Sequence, residues 1–313
     1  MLNRRHIRIK VMQSIYAMVQ SKSDDLIQQE KFLKFSIINI YDLYVLMLSL
    51  LLEVRNLAEQ HQEIAKKKFL ATSKDKNPSR RFIDNQFLVK LNGNASLASY
   101  IKDHKLKHWK DDNEYVRLIW DAIRNSNIYE KYINSVRDLS PKEELNFISE
   151  IYKEVIAPND KLFDYFESQN ISWVDDIPFV NTAFLTNIKK INAGTLFTKA
   201  ELYKDKDDEE FASDLFKKTA LHLTDFTEDI DKKTPNWDTD RIAEVDLILI
   251  KMALTEFVYF PSVPTKVTIN EYIEIAKDYS TTKSSFFING VLDKLLKEYT
   301  ASNRIQKIGR GLL

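Results

Sequence analysis

The chain of 313 residues contains no cysteine, five glycines and seven prolines. The absence of cysteine excludes disulfides, thiolate metal ligands and a cysteine nucleophile. The scarcity of glycine and proline, together with a hydrophobic content of 44%, favours a helix-rich globular protein of one or two domains.

A hydrophobic run long enough to span a membrane is also missing. The longest run, LYVLMLSLLL between Leu43 and Leu52, is well short of the roughly 20 residues that a spanning helix needs. The N-terminus is basic but lacks the apolar core and small-residue cleavage site of a secretory signal. We therefore expect a soluble cytoplasmic protein.

The 46 basic and 46 acidic side chains cancel, which excludes a uniformly basic nucleic-acid binder but allows a local basic patch. Such a patch stands at the start of the first helical pattern, RRHIRIKVMQSIYAMVQ, with Arg4, Arg5 and Arg8. Positive charge at a helix N-terminus opposes the helix dipole. These arginines therefore predict an acidic ligand rather than local helix stability.

The middle of the chain is harder to interpret. Apolar spacing predicts a long helix over residues 26–68 and further helices over 97–138. The stretch 66–96 is rich in Lys and Arg and contains Pro and Gly, so it predicts a mobile solvated loop or, alternatively, an RNA-binding arm. Ser140 followed by Pro141 predicts a helix start.

A weak internal repeat is also present. FISEIYKEVI from Phe147 and FASDLFKKTA from Phe211 each precede a tryptophan, Trp173 or Trp237, by the same interval. This spacing indicates a duplicated helical hairpin from residue 147, or else the chance spacing of any two amphipathic helix pairs.

The last third has the most regular pattern. Asp238 or Thr239 is expected to cap a helix over 240–259, which FPSVP ends. Thr268 and Glu271 have the spacing of a capping box, and Val267 with Tyr272 that of a hydrophobic staple. Gly290, in FFINGVLDK, is expected to sit beside the core and allow close helix packing.

The segments WDTDRIAEVDLILIKMALTEF, VPTKVTINEYIEIAK and FFINGVLDKL, together with RRHIRIKVMQSIYAM, resemble the NusB family of transcription antitermination factors. The resemblance covers roughly residues 3–20 and 205–300. It implies an all-α fold, a NusB-like helical bundle with a large inserted or extended helical region. The implied domains are a first helix (1–20), a helical insertion (21–205), a C-terminal helical core (206–300) and a basic tail (301–313).

The resemblance also implies function. Members of the family bind boxA elements of nascent ribosomal RNA together with the ribosomal protein NusE and the transcription elongation complex, without an enzymatic activity or cofactor. The acidic ligand of the arginines would then be RNA. Matched residue by residue, the implied RNA-binding residues are Arg4, Arg5, Arg8, Tyr16, Lys277, Tyr279, Lys283, Phe287 and Asn289, and the implied partner-binding residues are Asp246, Lys251 and Glu256.

Several of these assignments have structural alternatives. Arginine contacts phosphate, and aromatic rings stack on unpaired bases, yet Tyr279 and Phe287 at helical spacing also fit a packed core. Lys277, Lys283 and Asp246 also fit an ordinary solvated surface. Replacing Arg5 or Arg8 with alanine is expected to weaken RNA binding without lowering the melting temperature.

Other functions remain in competition. NusB-like domains also precede RNA cytosine methyltransferase domains, but this chain has no cysteine nucleophile and no glycine-rich cofactor loop. His104 and His108 have the spacing of a metal-binding pair without a third ligand, so we expect no metal site. A helical interaction scaffold that has lost specific RNA binding is the main alternative. The sequence leaves open the exact RNA, the role of the inserted region, and whether the protein is a homodimer.

Overall fold

The computed structural model describes residues 2–67, 76–192, 202–233 and 242–312. Within these ranges the secondary structure is helical, and no strand occurs. The predicted all-α fold class is therefore confirmed. Trp237, Asp238 and Thr239, which were expected to precede or cap a helix, lie outside the described residues.

The chain divides into two compact units. Unit 1 combines Met1–Ile37 with Ala200–Leu313, and unit 2 is the intervening segment Ile38–Lys199. The predicted insertion, 21–205, contains the whole of unit 2, and the predicted C-terminal core lies in unit 1. The correspondence of these units to separate domains stays a prediction.

Unit 1 is built from a first helix and a C-terminal group. The helices of unit 1 are α1 (Arg4–Gln20), the start of α2 (Leu26–Lys66), α11 (Lys206–Leu221), α12 (Thr227–Lys233), α13 (Glu244–Tyr259), α14 (Thr265–Tyr279) and α15 (Ser284–Ala301). The side chain of Asn3 accepts a hydrogen bond from the backbone N–H of His6 and so caps α1. Helix α1 packs against α11, α13 and α14, and α15 packs against α12, α13 and α14.

Helix α14 starts earlier than the sequence predicted. It begins at Thr265 after Pro264, so Thr268 lies inside the helix, where its buried hydroxyl donates to Glu256 instead of capping. Val267 is exposed and so does not act as a hydrophobic staple. The predicted capping box is therefore wrong, because a buried carboxylate on α13 takes the threonine hydroxyl.

Unit 2 continues α2 and adds a series of shorter helices. The predicted start at Ser140 is confirmed, since its side chain and that of Glu143 form a reciprocal capping box. The helices of unit 2 are α3 (Gln86–Asn92), α4 (Ala95–Asp103), α5 (His108–Asp111), α6 (Asn113–Arg124), α7 (Asn127–Ile133), α8 (Pro141–Ile151, extended by a π-helical turn Tyr152–Ile156), α9 (Asp160–Gln169) and α10 (Trp173–Asn192).

Two tryptophans organise the interior of unit 2 around α2. The indole N–H of Trp109 donates to the backbone carbonyl of Leu46 at 2.9 Å and to the hydroxyl of Ser49 at 3.0 Å. The indole of Trp173 donates to the carbonyl of Asn39 at 3.0 Å. These bonds satisfy the polar atoms of large side chains that are otherwise buried.

Helix α2 is long and apolar enough to cross a bilayer by length and composition, but 78% of its most apolar window is buried inside the protein. Such burial is typical of a core helix, as the sequence predicted. Its residues Leu43, Tyr44, Leu46, Leu50 and Val54 are almost inaccessible to solvent.

The proposed repeat has a counterpart in the order of helices. The first copy spans α8, the short α9 and the long α10, and the second spans α11, the short α12 and the long α13. The order of a long, a short and a long helix is thus repeated. Because Trp237 lies outside the described residues, the duplication itself stays a prediction.

Two segments have structure that the sequence did not predict. Of the predicted loop 66–96, residues 68–75 lie outside the described ranges, whereas Gln86–Asn92 form α3 because Phe87, Leu88 and Leu91 bury one helical face. In the basic tail, the ammonium group of Lys307 donates to the carbonyls of Glu256 and Phe260 at the end of α13. The tail is therefore docked on unit 1.

Candidate nucleic-acid interface

Arg4 and Arg5 start α1, and both side chains are partly exposed while bound to carboxylates of unit 1. Arg4 Nε donates to Asp208 at 2.8 Å, and its guanidinium lies 4.8 Å from the ring centre of Phe211. Arg5 donates through Nε and Nη2 to Glu271 at 2.9 and 3.0 Å. Each arginine side chain is 39% exposed, so both are held in fixed orientations at the surface.

The Arg5–Glu271 pair changes the acidity of both groups. The hydrogen bond with Glu271 raises the pKa of Arg5, and the same bond lowers the pKa of Glu271. Glu274 and Asp278, on later turns of α14, raise the pKa of Arg5 further. Since Glu274 also accepts a hydrogen bond from Lys277, the structure brings the predicted residues Arg5 and Lys277 into one charged cluster.

Arg8 has a different environment from the other two arginines. It donates to both carboxylate oxygens of Glu256, at 2.6 and 2.8 Å, and both side chains are buried. Tyr272 and Thr268 also donate to Glu256, at 2.7 and 3.1 Å. This network satisfies two charges inside the protein, as buried ions require.

The expectations for Arg8 and Glu256 must therefore be corrected. Burial removes Arg8 from the reach of phosphate and Glu256 from the reach of a protein partner. Sequence spacing could not show this, because the pair joins α1 to α13 across most of the chain. Replacing Arg8 should lower the melting temperature, contrary to the expectation from the sequence.

An open cleft of about 1130 Å³ lies beside the start of α1. Its lining includes the cations of Arg4, Arg5, Arg8, Lys204 and Arg310, together with Glu271 and carboxylates at the start of α11. The cleft is therefore of mixed charge, and it does not form a uniformly positive phosphate site.

Tyr16 lies on α1 eleven positions after Arg5, which is about three helical turns or about 16 Å. This separation places the two residues on the same side of the helix. Tyr16 is 39% exposed. A partly exposed ring and a partly exposed guanidinium therefore follow one another along α1.

The remaining predicted residues lie at the end of α14 and the start of α15. Lys277 and Lys283 are exposed. Tyr279, Phe287 and Asn289 are half-buried, and both rings have contacts within the protein. The two aromatic residues are thus shared between packing and surface, as the structural alternative from the sequence allowed.

Phe286 is an exposed aromatic residue that the sequence reasoning missed. It is 78% exposed. The spacing of apolar residues in the sequence could have identified it. The buried stripe of α15 consists of Ile288, Val291, Leu292 and Leu295, and position 286 lies on the other face of the helix. The resemblance in sequence points to Phe287, which is the less exposed neighbour.

Gly290 also differs from expectation. It is exposed, and a Cβ atom built at this position would meet no atom within 4 Å. The glycine therefore does not allow close helix packing. Instead it leaves a bare stretch of backbone on the solvent face of α15.

The three predicted partner-binding residues differ in accessibility. Asp246 and Glu256 are buried. Lys251 is partly accessible, and burial lowers its pKa. Of the predicted set, Lys251 is therefore the residue best placed to meet another molecule.

The two histidines with metal-ligand spacing have other contacts. His104 stacks on Tyr100 with ring centres 3.8 Å apart and lies 3.3 Å from Asp42. His108 packs against Trp173 and Tyr165. Within the described parts of the chain, no group of three or more His, Asp or Glu side chains could hold a metal ion.

Comparisons with known proteins concern mainly the second half of the chain. The sequence model of the NusB family matches residues 180–297, which leaves α1 and most of unit 2 outside the match. No solved structure matches the chain.

Curated relatives named transcription antitermination protein NusB match about a third of the chain. The Salinibacter ruber protein is 42% identical over 115 residues, which cover 37% of this chain and 72% of the relative. The Natranaerobius thermophilus protein is 31% identical over 112 residues, covering 36% and 81%. The Chloroherpeton thalassium protein is 45% identical over 92 residues, covering 29% and 44%. Because two of these matches span most of the relative's length, the chain belongs to the NusB family.

Proposed function

We propose that the protein is a transcription antitermination factor that binds boxA-like elements of nascent ribosomal RNA, together with the ribosomal protein NusE and RNA polymerase. Family membership carries the antitermination role. It also favours a cytoplasmic binding protein over an enzyme. The specific RNA and protein partners follow from the resemblance in sequence and are proposals.

The RNA-binding proposal is supported by the accessible residues of unit 1. Arg4 and Arg5 combine partial exposure with fixed guanidinium planes, and planar guanidinium groups suit phosphate. Tyr16 supplies an accessible ring farther along α1. Arg8 is left out of the proposed surface because it is buried.

The carboxylates beside these arginines have two consequences for binding. Asp208 and Glu271 fix the orientation of Arg4 and Arg5, which reduces the entropy lost when phosphate binds. They also compete with phosphate for the same donors. We therefore expect RNA affinity to fall as salt rises, but less steeply than three free arginines would give.

A direct test is fluorescence anisotropy with a labelled single-stranded RNA that carries a boxA-type element and with a scrambled RNA of the same composition. Each RNA is titrated with the full chain, with and without the ribosomal protein. We expect micromolar or tighter binding and a preference for the boxA-type RNA. Equal affinity for the scrambled RNA would contradict the specific function.

Arginine variants locate the surface. Arg5→Ala should weaken binding of both RNAs and reduce the salt slope by about one phosphate contact. Arg124→Ala is the matched control, because Arg124 is an exposed arginine of unit 2 that is also paired with a carboxylate, Asp121. If both variants lost the same RNA affinity, the loss would come from the change in net charge and not from a contact made by α1.

The second candidate function is a helical scaffold that binds protein but no specific RNA. The internal pairing of Arg4 and Arg5 favours it, since both arginines also have a structural role. Binding of the ribosomal protein without any RNA preference would support this alternative. Light scattering on the same samples would show whether the free protein is a homodimer.

A further inference from the structure

The basic tail that follows α15 is held against unit 1 by three sets of contacts. The first is made by Arg304, whose guanidinium donates to Asp229 at 2.6 Å and lies 4.2 Å from the ring centre of Tyr299. Asp229 belongs to α12 and Tyr299 to α15. The beginning of the tail is therefore fixed to two helices.

The middle of the tail is bound to the end of α13. The ammonium group of Lys307 donates to the carbonyl of Glu256 at 3.0 Å and to that of Phe260 at 2.9 Å. The last carbonyls of a helix have no partner within it, and the helix dipole favours a cation there. Burial lowers the pKa of Lys307 to about 8, so the group is still mostly charged at neutral pH.

The third set of contacts seats the tail on the connection between α13 and α14. The backbone N–H of Ile308 donates to the carbonyl of Pro261 at 3.0 Å. At Gly311 a Cβ atom would lie 1.9 Å from the same carbonyl oxygen, so the backbone can come this near only at a glycine. Gly309 has a φ of +52°, a left-handed conformation that also favours glycine. Two glycines thus shape the seat of the tail.

This seat brings Arg310 to the cleft beside the start of α1. Arg310 lines the cleft together with Ser262, Val263 and Pro264, none of which carries a charge. Arg310 is exposed, and it forms no ion pair with any residue that the structure describes. The tail therefore holds a solvated guanidinium at an uncharged part of the cleft.

Arg310 differs in this respect from the arginines at the start of α1. The guanidinium of Arg4 is bound to Asp208, and that of Arg5 is bound to Glu271. A phosphate that approached either group would compete with a carboxylate already in place. Arg310 has no such competitor among the described residues, so it can bind a phosphate without first breaking an ion pair.

The carboxylates of the cleft come from other elements than the tail. Lys204, a further cleft cation, directly precedes them in the sequence. The tail and residues 262–264 contribute no carboxylate to the lining, so this side of the cleft favours an anion. The carboxylates of the lining are Asp205, Asp207, Asp208, Glu210 and Asp214, at the start of α11, and Glu271 on α14.

We propose that the basic tail is part of the RNA-binding surface, because its docking on unit 1 holds Arg310 in the cleft, where the guanidinium binds a phosphate of the RNA backbone. The proposal rests on the proposed RNA-binding function. Lys307 and Gly311 are positioning residues that act through Arg310. A phosphate contact carries no sequence information, so Arg310 contributes equally to binding of boxA-type and scrambled RNA.

The first test removes the guanidinium and leaves the tail in place. Full-length Arg310→Ala is compared with the wild type in anisotropy titrations of both labelled RNAs at several salt concentrations, and in thermal melts. Affinity should fall by about 2- to 5-fold at low salt, as for an exposed charge pair. The slope of log affinity against log salt should fall by about one phosphate contact, with an unchanged melting temperature. Arg310→Lys should keep the slope, because it keeps the charge.

The matched control is Arg117→Ala. Arg117 is an exposed arginine of α6, and like Arg310 it forms no ion pair with any described residue. Its replacement changes the net charge by the same amount and should leave the salt slope as in the wild type. An equal change of slope in the two variants would reduce the effect to net charge and overturn the proposal.

The second test removes the seat and leaves the guanidinium. Gly311→Ala changes no charge, but it forces the backbone away from Pro261, so Arg310 is no longer held in the cleft. The salt slope should fall as in Arg310→Ala, and the melting temperature should fall as well. The double variant should bind RNA no more weakly than Arg310→Ala, because both substitutions remove the same contact. Gly93→Ala is the control, since a Cβ there meets only ordinary contacts, the nearest at 3.6 Å.

The outcomes separate this proposal from the function on which it rests. Wild-type protein that binds neither RNA would overturn the proposed function and the role of the tail with it. Wild-type binding with an unchanged affinity and slope in Arg310→Ala would overturn the role of the tail alone. Additive losses in the double variant would overturn the positioning role of Gly311. Loss of ribosomal-protein binding in Arg310→Ala, with RNA binding intact, would assign the tail to a protein partner and also overturn the proposal.

Discussion

Unit 1 and unit 2 use aromatic and charged residues in opposite ways. In the described parts of unit 1, aromatic side chains reach the surface at Tyr16, Phe32, Phe35 and Phe286, and an arginine–carboxylate pair is buried. In the described parts of unit 2 the large exposed hydrophobic residues are aliphatic, namely Ile64, Val89, Val136 and Ile171.

The interior of unit 2 shows the same contrast. The indoles of Trp109 and Trp173 donate to backbone carbonyls and that of Trp120 donates to His61, while ion pairs such as Arg80–Asp84 and Arg137–Glu143 lie at the surface. Exposed aromatic rings beside cations are what unpaired nucleic acid needs. The comparison therefore directs the search for RNA contacts to unit 1 and assigns the aromatic residues of unit 2 mainly to stability.

The largest effect should come from breaking the buried pair of unit 1. Glu256→Ala leaves Arg8 buried without its carboxylate, so the free energy of unfolding should fall by about 3–5 kcal/mol. Urea denaturation followed by circular dichroism measures this change. The control is Glu274→Ala, which removes an exposed carboxylate of α14 and should leave the urea midpoint unchanged. If both variants shifted the midpoint equally, the buried Arg8–Glu256 pair would contribute no more to stability than a surface carboxylate.

The corresponding change in unit 2 is Trp109→Phe. It removes the indole donor to Leu46 and Ser49, while the Leu46 carbonyl still accepts from the Ser49 hydroxyl, so unfolding should become easier by about 0.5–1.5 kcal/mol. Ser49→Ala removes one partner only and should have a smaller effect in the same urea denaturation assay. RNA affinity should be unchanged in both variants. A loss of affinity would contradict the assignment of the RNA contacts to unit 1.

Two glycines of unit 1 should respond in opposite directions to the same substitution. Gly290→Ala should raise the free energy of unfolding by up to about 1 kcal/mol, because the site is open and alanine favours helix. Gly311→Ala should lower stability, because its Cβ would lie 1.9 Å from the carbonyl oxygen of Pro261. Thermal melts of the pair check both signs, and a destabilised Gly290→Ala would show that α15 packs there after all.

The smallest effect should appear in acid. The hydrogen bond from Arg5 lowers the pKa of Glu271 below the usual glutamate value of 4.5, so the folded state binds this proton more weakly than the unfolded state. The resulting stability is present above about pH 4.5 and is lost as the pH falls through the lower folded pKa. Glu271→Gln should cost about 0.5 kcal/mol at neutral pH, since the pair is partly exposed.

The pH series itself supplies the control for this prediction. The difference between wild type and Glu271→Gln should shrink as the pH falls below 4.5, because both proteins then carry an uncharged group. A difference that is constant across the series would mean that the pair contributes through shape instead of charge.

The sequence predicted those features that depend on local spacing. The all-α fold, the long α2, the Ser140 cap and the family membership all follow from periodic or short-range patterns. The site was predicted less completely. Arg8 has the same local sequence context as Arg4 and Arg5, and its burial depends on Glu256, a residue far along the chain.

The two remaining errors have the same physical origin. Thr268 has the spacing of a helix cap, but the buried Glu256 carboxylate takes its hydroxyl. Gly290 could be placed on the solvent face only by deciding which stripe of α15 is buried, and the pair Phe286–Phe287 is ambiguous in that respect. A single sequence does not specify the long-range pairing that engages Thr268, nor the rotation of α15 about its axis that exposes Gly290.

The placement of the tryptophans gives each unit its own optical signal. Trp109, Trp120 and Trp173 are buried in unit 2, and the fourth tryptophan of the chain, Trp237, falls within the sequence of unit 1. In a Trp237→Phe background, tryptophan emission would report on unit 2 alone, while a fluorescent probe attached to α15 would report on unit 1. The order in which the two units lose structure could then be followed in one labelled chain during a single stopped-flow experiment.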